Sequence, residues 1–221
     1  MKELNCDYLI VGAGAAGCVV SNRLSNNPNN NVICIEAGGK DTNFYIKIPA
    51  GFSKTVYNDK INWPYYTEET DNTANRKIRF PRGKVVGGSS SINGHLYVRG
   101  QANDYDGWAQ KGCLGWSWSD VLPYFMKAES RPEGNKHFRG NEGPLHISDL
   151  TSPHPLAKLF IQTAHSIGIK KNTDYNSGDQ EGSFLYQTMI KNSMRWSASD
   201  AYLRPILSKK NFKLLIKTYL H

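Results

Sequence analysis

The sequence is short of several things. Its 221 residues include only four cysteines, Cys6, Cys18, Cys34 and Cys113, with no C-x-x-C spacing and no histidine partners at metal-ligand spacing. This excludes a disulfide scaffold and a cysteine-rich zinc module. It leaves free thiols that pack as small apolar residues, as expected in a reduced compartment. No apolar run reaches membrane-spanning length, and the one that follows Asp7 is broken by glycines, so it is neither a signal-peptide core nor a span. Low-complexity tracts and internal repeats are missing too. Acids are the scarcer charge, 19 against 27 Lys and Arg, for a net charge of +8. The excess is spread along the chain apart from a crowd at Lys209, Lys210, Lys213 and Lys217, and no recognition helix with clustered arginines appears. That argues against a nucleic-acid partner. The expectation is a cytoplasmic protein with no integral membrane segment, peripheral membrane association being left open.

What is present suffices for a core, since 39% of residues are hydrophobic and 21% charged. The organising stretch is Asp7–Leu24, DYLIVGAGAAGCVVSNRL. Tyr8-Leu9-Ile10-Val11 reads as a buried strand, too short for a helix and cut off by glycine. Gly12, Gly14 and Gly17 then form G-x-G-x-x-G at the mouth of a helix. Gly12 permits the tight turn, Gly14 lets backbone approach a pyrophosphate, and Gly17 lets the helix pack close to the strand. The helix start adds unpaired N–H groups and a positive dipole end. A second strand, Val32–Ile35, ends in Glu36, 19 positions after Gly17. A carboxylate there can accept ribose hydroxyls and argues against a 2′-phosphate, so against NADP. On the motif alone NAD and FAD stay equally open.

Along the rest of the chain, Ser25–Asn31 is a polar turn. From Lys40 to Arg82 regular periodicity fades, which suits a lid over a cofactor or a peripheral insertion. Helices are expected near 103–110, from Ser119-Asp120 to Glu129 with Pro123 in its first turn, and over 155–167 with Leu156, Leu159, Phe160 and Ala164 on one face. A Pro205-interrupted helix is expected at 197–207. Strands are expected at 144–147, 186–190 and 212–216. Trp108, Trp116 and Trp118 read as core packing.

The second dense stretch is Arg82–Arg99, RGKVVGGSSSINGHLYVR. Gly87-Gly88-Ser89-Ser90-Ser91 carries no large side chain, so it offers backbone amides and hydroxyls to a flat or anionic ligand. The residues alone predict a second phosphate- or ring-binding loop that opens another helix. The apolar flanks Val86, Ile92 and Leu96 weaken the alternative of a flexible linker.

Taken together, these stretches resemble the N-terminal half of the glucose–methanol–choline (GMC) oxidoreductases, most closely the choline-dehydrogenase type. The resemblance rests on DYLIVGAGAAGCVVSNRLS, VICIEAGG (Val32–Gly39), NWPYYTEE (Asn62–Glu69) and above all GKVVGGSSSINGHLYVRG (Gly83–Gly100). Later pieces, GWSWSDVLPYFMKAE, GPLHI and SASDAYLRP, fit as well. It implies an α/β, overall α+β, architecture: a Rossmann-like FAD-binding βαβ domain at 1–142, the start of a substrate-binding domain at 143–196, and an incomplete return segment at 197–221. It implies FAD rather than NAD. The adenine half would lie on Gly12, Ala13, Gly14, Ala15, Ala16, Gly17, Glu36 and Ala37. The flavin end would lie near Val86, Gly87, Gly88, Ser89, Asn93, Gly94, His95 and Leu96. Some relatives attach FAD through a histidine directly before the Asn; Ile92 stands there, which implies non-covalent FAD.

The reaction implied is oxidation of a small-molecule alcohol, a base taking the hydroxyl proton and a hydride passing to flavin N5. The electron acceptor expected from the resemblance is quinone-type. In the family the base is a downstream histidine paired with His or Asn. The expectation is therefore an N-terminal fragment that binds FAD and carries no catalytic residue of its own. The histidines at hand are His95, His137, His146, His154, His165 and His221, and only His95 falls close to the flavin end. Two alternatives are a non-catalytic truncated or split-gene product and another FAD- or NAD-dependent reductase with the same first motif.

Overall fold

The computed structural model describes residues 3–220. Backbone packing divides them into two compact units. One runs to His95 and resumes at Asn192, and the other is Leu96–Lys191. Residues 96–142, which the sequence reading kept with the nucleotide half, thus lie in the second unit.

The first unit is built on a parallel sheet of β1 (Tyr8–Val11), β2 (Val32–Glu36) and β3 (Phe212–Ile216), in the order β1-β2-β3. The register pairs Tyr8 with Val32 and Val32 with Phe212. β2 is buried at every residue, as its unbroken apolar run requires of a central parallel strand. β1 differs from the expected buried strand: Leu9 and Val11 are more than half exposed. It has one neighbour, so only one of its edges is covered. Helix α1 (Ala15–Leu24) follows the glycine turn and packs on a π-helical turn at Ser199–Leu203. There the Asn22 amide donates to the Tyr202 carbonyl and the Arg23 guanidinium lies over the Tyr202 ring. The polar turn after α1 is pinned from far along the chain, since the Asn211 amide donates to the Ser25 and Asn30 carbonyls.

Between β2 and the second glycine loop the chain forms short turns and a two-residue antiparallel ladder, Asn62–Trp63 with Arg82–Gly83. Ile46, Val85 and Ile92 close a small core there, with Ile61 packed against it. A charged cluster joins this region to the return segment. Lys47 Nζ sits 3.2 Å from Asp41 and 3.1 Å from Asp200, and Arg204 reaches both carboxylates. The Ser197 hydroxyl and backbone N–H also donate to Asp200. Burial alone would raise the Asp200 pKa; the Ser197 hydroxyl and the Lys47 ammonium outweigh it and hold the carboxyl below its ordinary value. The expected helix at 197–207 is this π turn followed by a 3-10 turn at Arg204–Ile206, with Pro205 inside the latter.

The second unit carries α2 (Ala102–Gln110), α3 (Trp118–Ala128) and α4 (Pro155–Ser166). The N-cap of α3 is Ser117 in a capping box with Asp120, two residues before the expected start, so Pro123 lies beyond the first turn. Tyr105 centres an aromatic cluster with Trp108, Trp118 and Phe125. Trp108 and Trp116 are about half exposed rather than core. On α4 only Ala164 of the expected apolar face is buried. Where a strand is expected at 186–190, the structure has isolated bridges from Thr188 to Leu96 and Ser148, and a two-residue strand that begins at Ile190.

The interior of this unit is ionic. Glu129, fully buried, lies 2.7 Å from Arg99 Nη2 and 3.0 Å from Arg139 Nε, and accepts the Gly140 N–H. Arg139 continues to Asp174 and Gln187. Burial pushes the Arg139 guanidinium down, against the pull of Glu129 and Asp174.

Two outcomes follow from these charges. Glu129→Gln takes the carboxylate from buried Arg99 and leaves Arg139 with Asp174 alone, and is expected to cost about 3–5 kcal/mol, read as the free energy of urea unfolding. Asp200→Asn is expected to cost about 1.5–3 kcal/mol at pH 7. Because the folded Asp200 pKa is depressed, its contribution is present above the ordinary value of 3.8 and is lost as pH falls through the folded value. Melting curves of the variant and the parent should therefore converge in acid; a gap that stayed constant with pH would refute the assignment.

Candidate functional site

The site forms where β1, β2 and the second glycine loop meet, all within the first unit. Gly12 turns at φ +92°, a region open to glycine at little cost, and its N–H donates to the Ile35 carbonyl at 2.8 Å. Gly14 is the N-cap of α1 and offers no side-chain cap. A Cβ on Gly17 would overlap the Gly12 carbonyl, so the helix can lie this close only with glycine there. The first-turn amides of α1, on Ala15, Ala16 and Gly17, have no carbonyl to bind within the helix. They leave free N–H groups at a helix N-terminus, with nothing larger than an alanine methyl beside them.

Glu36 is 6% exposed, and its carboxylate holds the turn in place. One oxygen accepts the Ala13 N–H and the other the Gly38 N–H, each at 2.8 Å. A carboxylate has about four acceptor positions, so two remain for a ligand. The residues alone point to a ligand role for Glu36; the structure shows its carboxylate pinning the glycine turn.

The second loop presses directly on the first. The Gly87 N–H donates to the Ala13 carbonyl at 2.7 Å, and the Val86 N–H to the Gly39 carbonyl at 3.0 Å. A Cβ on Gly88 would come 2.7 Å from Gly14 Cα. Instead of opening a helix, Gly88–Ser91 makes one 3-10 turn, with Gly87 and Gly88 both at positive φ. Ser89 accepts the Gly83 N–H, Ser90 donates to the Gly87 carbonyl, and Ser91 donates to the Val86 carbonyl.

A cavity of about 370 Å³ opens between these loops, within the range of small-ligand sites. Gly12, Gly14, Glu36, Ala37 and Gly88 line it, together with Trp63, Gly83 and Tyr219, which the sequence reading did not single out. Lys84 Nζ lies over the Trp63 and Tyr219 rings at 4.7 and 5.2 Å. The only sequence signal for Trp63 and Gly83 was their place inside the quoted family motifs.

The remaining expected residues sit elsewhere. Ala13 and Val86 are buried behind the turn. Asn93 Oδ1 accepts the His95 N–H and Arg195 Nη1, each at 2.9 Å. His95 is a buried residue at φ +50°, set edge-on to Phe52. Burial, and then the Arg195 charge, push its pKa down to about 4. Leu96 belongs to the second unit and is about half exposed. His146, also in that unit, is shifted down by burial and Lys191. His221 lies outside the described residues. Cys18 is fully buried, its thiol facing the Ala13 carbonyl and pushed up to about 12 by burial first. Among the described residues there is no metal-holding group of His, Cys, Asp or Glu, and no helix long and apolar enough to cross a membrane.

Residues 6–221 match the N-terminal model of GMC oxidoreductase. The chain belongs to the GMC oxidoreductase family. It is 43% identical over 208 residues to an oxygen-dependent choline dehydrogenase of Rhizobium etli (strain CIAT 652), covering 94% of this chain and 38% of that protein. Among solved structures it is similar to pyridoxine 4-oxidase from Mesorbium loti, with a TM-score of 0.92 and 34% identity over 96% of this chain and 42% of the other. An FAD-dependent oxidoreductase from Chaetomium thermophilum superposes with a TM-score of 0.87 at 29% identity, over 96% of this chain and 38% of that one. The chain spans about two fifths of the length of these relatives. Members of the family bind FAD.

Gly88→Val gives the sharpest test of the contact between the loops. Its Cβ meets backbone, not a movable side chain, at a residue with φ +55°. The variant is expected to lose about 3 kcal/mol or more in thermal unfolding. Gly94→Ala, whose Cβ meets nothing within 4 Å, should melt like the parent.

Proposed function

We propose that this chain holds FAD non-covalently and serves a choline-dehydrogenase-like oxidation of a small-molecule alcohol. The observation that supports it best is the joint backbone surface of the two glycine loops, Gly88 on Gly14, beside the buried Glu36 carboxylate. The first-turn amides of α1 would take the pyrophosphate, and the free lone pairs of Glu36 the ribose hydroxyls. The Gly87–His95 loop would take the flavin end. When bound, the flavin supplies the two-electron acceptor that converting an alcohol to a carbonyl requires.

Ile92 supports the non-covalent reading. Its hydrocarbon side chain is buried against Ile46 and Val85 and offers no atom for a bond to flavin. None of the chain's residues is assigned as the base. His95, with a pKa of about 4, is a weak proton acceptor. The base and most of the alcohol pocket are proposed to belong to the part of the relatives that this chain does not span. Choline is the first substrate to test, because the curated relatives are named for it. Their name also includes oxygen-dependent, which puts dioxygen beside quinones as an acceptor to test.

Titrating the purified chain with FAD should quench flavin fluorescence and build an oxidised-flavin absorbance that stays with the protein through gel filtration. Acid precipitation should then release all the yellow colour to the supernatant. Colour retained in the pellet would overturn non-covalent attachment; a chain that takes up no FAD would overturn the cofactor assignment. FAD-loaded chain reduced by NADH alone would favour the reductase alternative.

A further inference from the structure

Arg195 is the largest of the side chains buried to less than 2–3% exposure, and it has no carboxylate within ion-pair distance among the described residues. Its donors go to neutral acceptors instead. Nε binds the Ile46 carbonyl at 2.9 Å, while Nη1 binds the Ser90 carbonyl at 3.2 Å and Asn93 Oδ1 at 2.9 Å. Nη2 is buried without a hydrogen-bond partner. Asp200 acts on this guanidinium only at longer range, against the larger effect of burial. Burying a cation this way is costly, and three carbonyl-type oxygens could be satisfied by neutral donors. The arrangement therefore calls for an explanation beyond filling space.

The explanation lies in what Arg195 does to Asn93. An asparagine amide has one acceptor end and one donor end, and either can face inward. Here two groups that can only donate, the Arg195 guanidinium and the His95 backbone N–H, converge on the inner end. Turning the amide over would set N–H against N–H twice. The oxygen is therefore fixed inward and Nδ2 outward, where Asn93 is exposed and Nδ2 makes no hydrogen bond among the described residues. His95, two residues on, stands at φ +50° with its N–H on the same amide oxygen, so the turn and the amide are set together.

We propose that Arg195 is a positioning residue that locks the Asn93 amide, so that the second glycine loop presents a hydrogen-bond donor, and only a donor, to an acceptor atom of bound flavin. Its ligand half rests on the FAD reading above; the lock itself does not. Arg195 is 102 positions from Asn93 in sequence, so a residue far along the chain joins the loop's own His95 N–H in deciding which end of the amide faces the ligand.

The test is to separate folding from binding with Asn93→Asp. At neutral pH the carboxylate keeps both inward hydrogen bonds and adds an ion pair with Arg195, so the FAD-free variant should melt above the parent. It has no donor to turn outward, so FAD should bind about ten-fold more weakly or worse, by fluorescence titration. In an Arg195→Met background the stabilising effect of Asn93→Asp should vanish, and Arg195→Met alone should also weaken FAD by about ten-fold. If Arg195→Met does not fold, NMR titration of Asn93→Asp decides the point: a carboxyl paired with Arg195 titrates well below an ordinary Asp. Equal FAD affinity for Asn93→Asp and the parent would overturn the donor role. An equal melting shift in both backgrounds, or an ordinary carboxyl titration, would overturn the lock. A parent chain that binds no FAD would overturn the FAD reading and the ligand half with it, while the melting cycle would still decide the lock.

Discussion

Two glycines with their backbones almost in contact hold the first unit in its shape. Gly14 begins a helix and Gly88 begins a 3-10 turn, and a single methyl group on the second would not fit against the first. Close approach without side chains has little apolar burial to stabilise it, so it depends on polar ties around it. Those ties are present: the Gly87 N–H on the Ala13 carbonyl, the Val86 N–H on the Gly39 carbonyl, and the Glu36 carboxylate across Ala13 and Gly38. Each satisfies a backbone group that would be expensive to bury alone. The result is a floor of peptide groups, which is the surface a dinucleotide needs. Glu36 therefore serves twice, first as a brace for the turn and then as an acceptor with capacity left over.

Much of this was legible from residues. The G-x-G-x-x-G turn, the acid that ends β2 and the boundaries of α1, β2 and β3 follow local rules of pattern and spacing, and the structure places them as read. What failed to show were the pairings across the chain. A sequence does not reveal that Gly83, Gly87 and Val86 will engage Ser89, Ser90 and Ser91. β1 looked buried because apolar runs do not say how many neighbours a strand has. Trp108 and Trp116 looked like core because aromatic residues usually are, yet both keep about half their surface in water. Arg195 gave no local signal at all; the groups it binds lie more than a hundred positions away, as does Lys47 from Asp200.

The two units settle buried charge in different ways. In the second, Glu129 and Asp174 neutralise Arg99 and Arg139 in one network with amide groups at its margins. In the first, Lys47 and Arg204 share two carboxylates, while Arg195 is left to neutral acceptors. The first network reads as structural and costs little when complete. The isolated guanidinium stands apart, and it stands beside the second glycine loop. The first unit also joins segments from opposite ends of the chain, with β2 and β3 paired across about 180 intervening positions. Pairing at that separation carries the entropic cost of closing a long loop.

One buried group has a bearing on handling the protein. The Cys18 thiol lies behind the glycine turn with its proton directed at the Ala13 carbonyl. Burial pushes its pKa up to about 12, so the thiol stays protonated at neutral pH. Oxidants and alkylating reagents act on thiolates that they can reach, so they will find the exposed Cys113 and the partly exposed Cys6 first. A fluorophore or spin label can therefore be attached to the second unit through Cys113 without modifying the nucleotide turn.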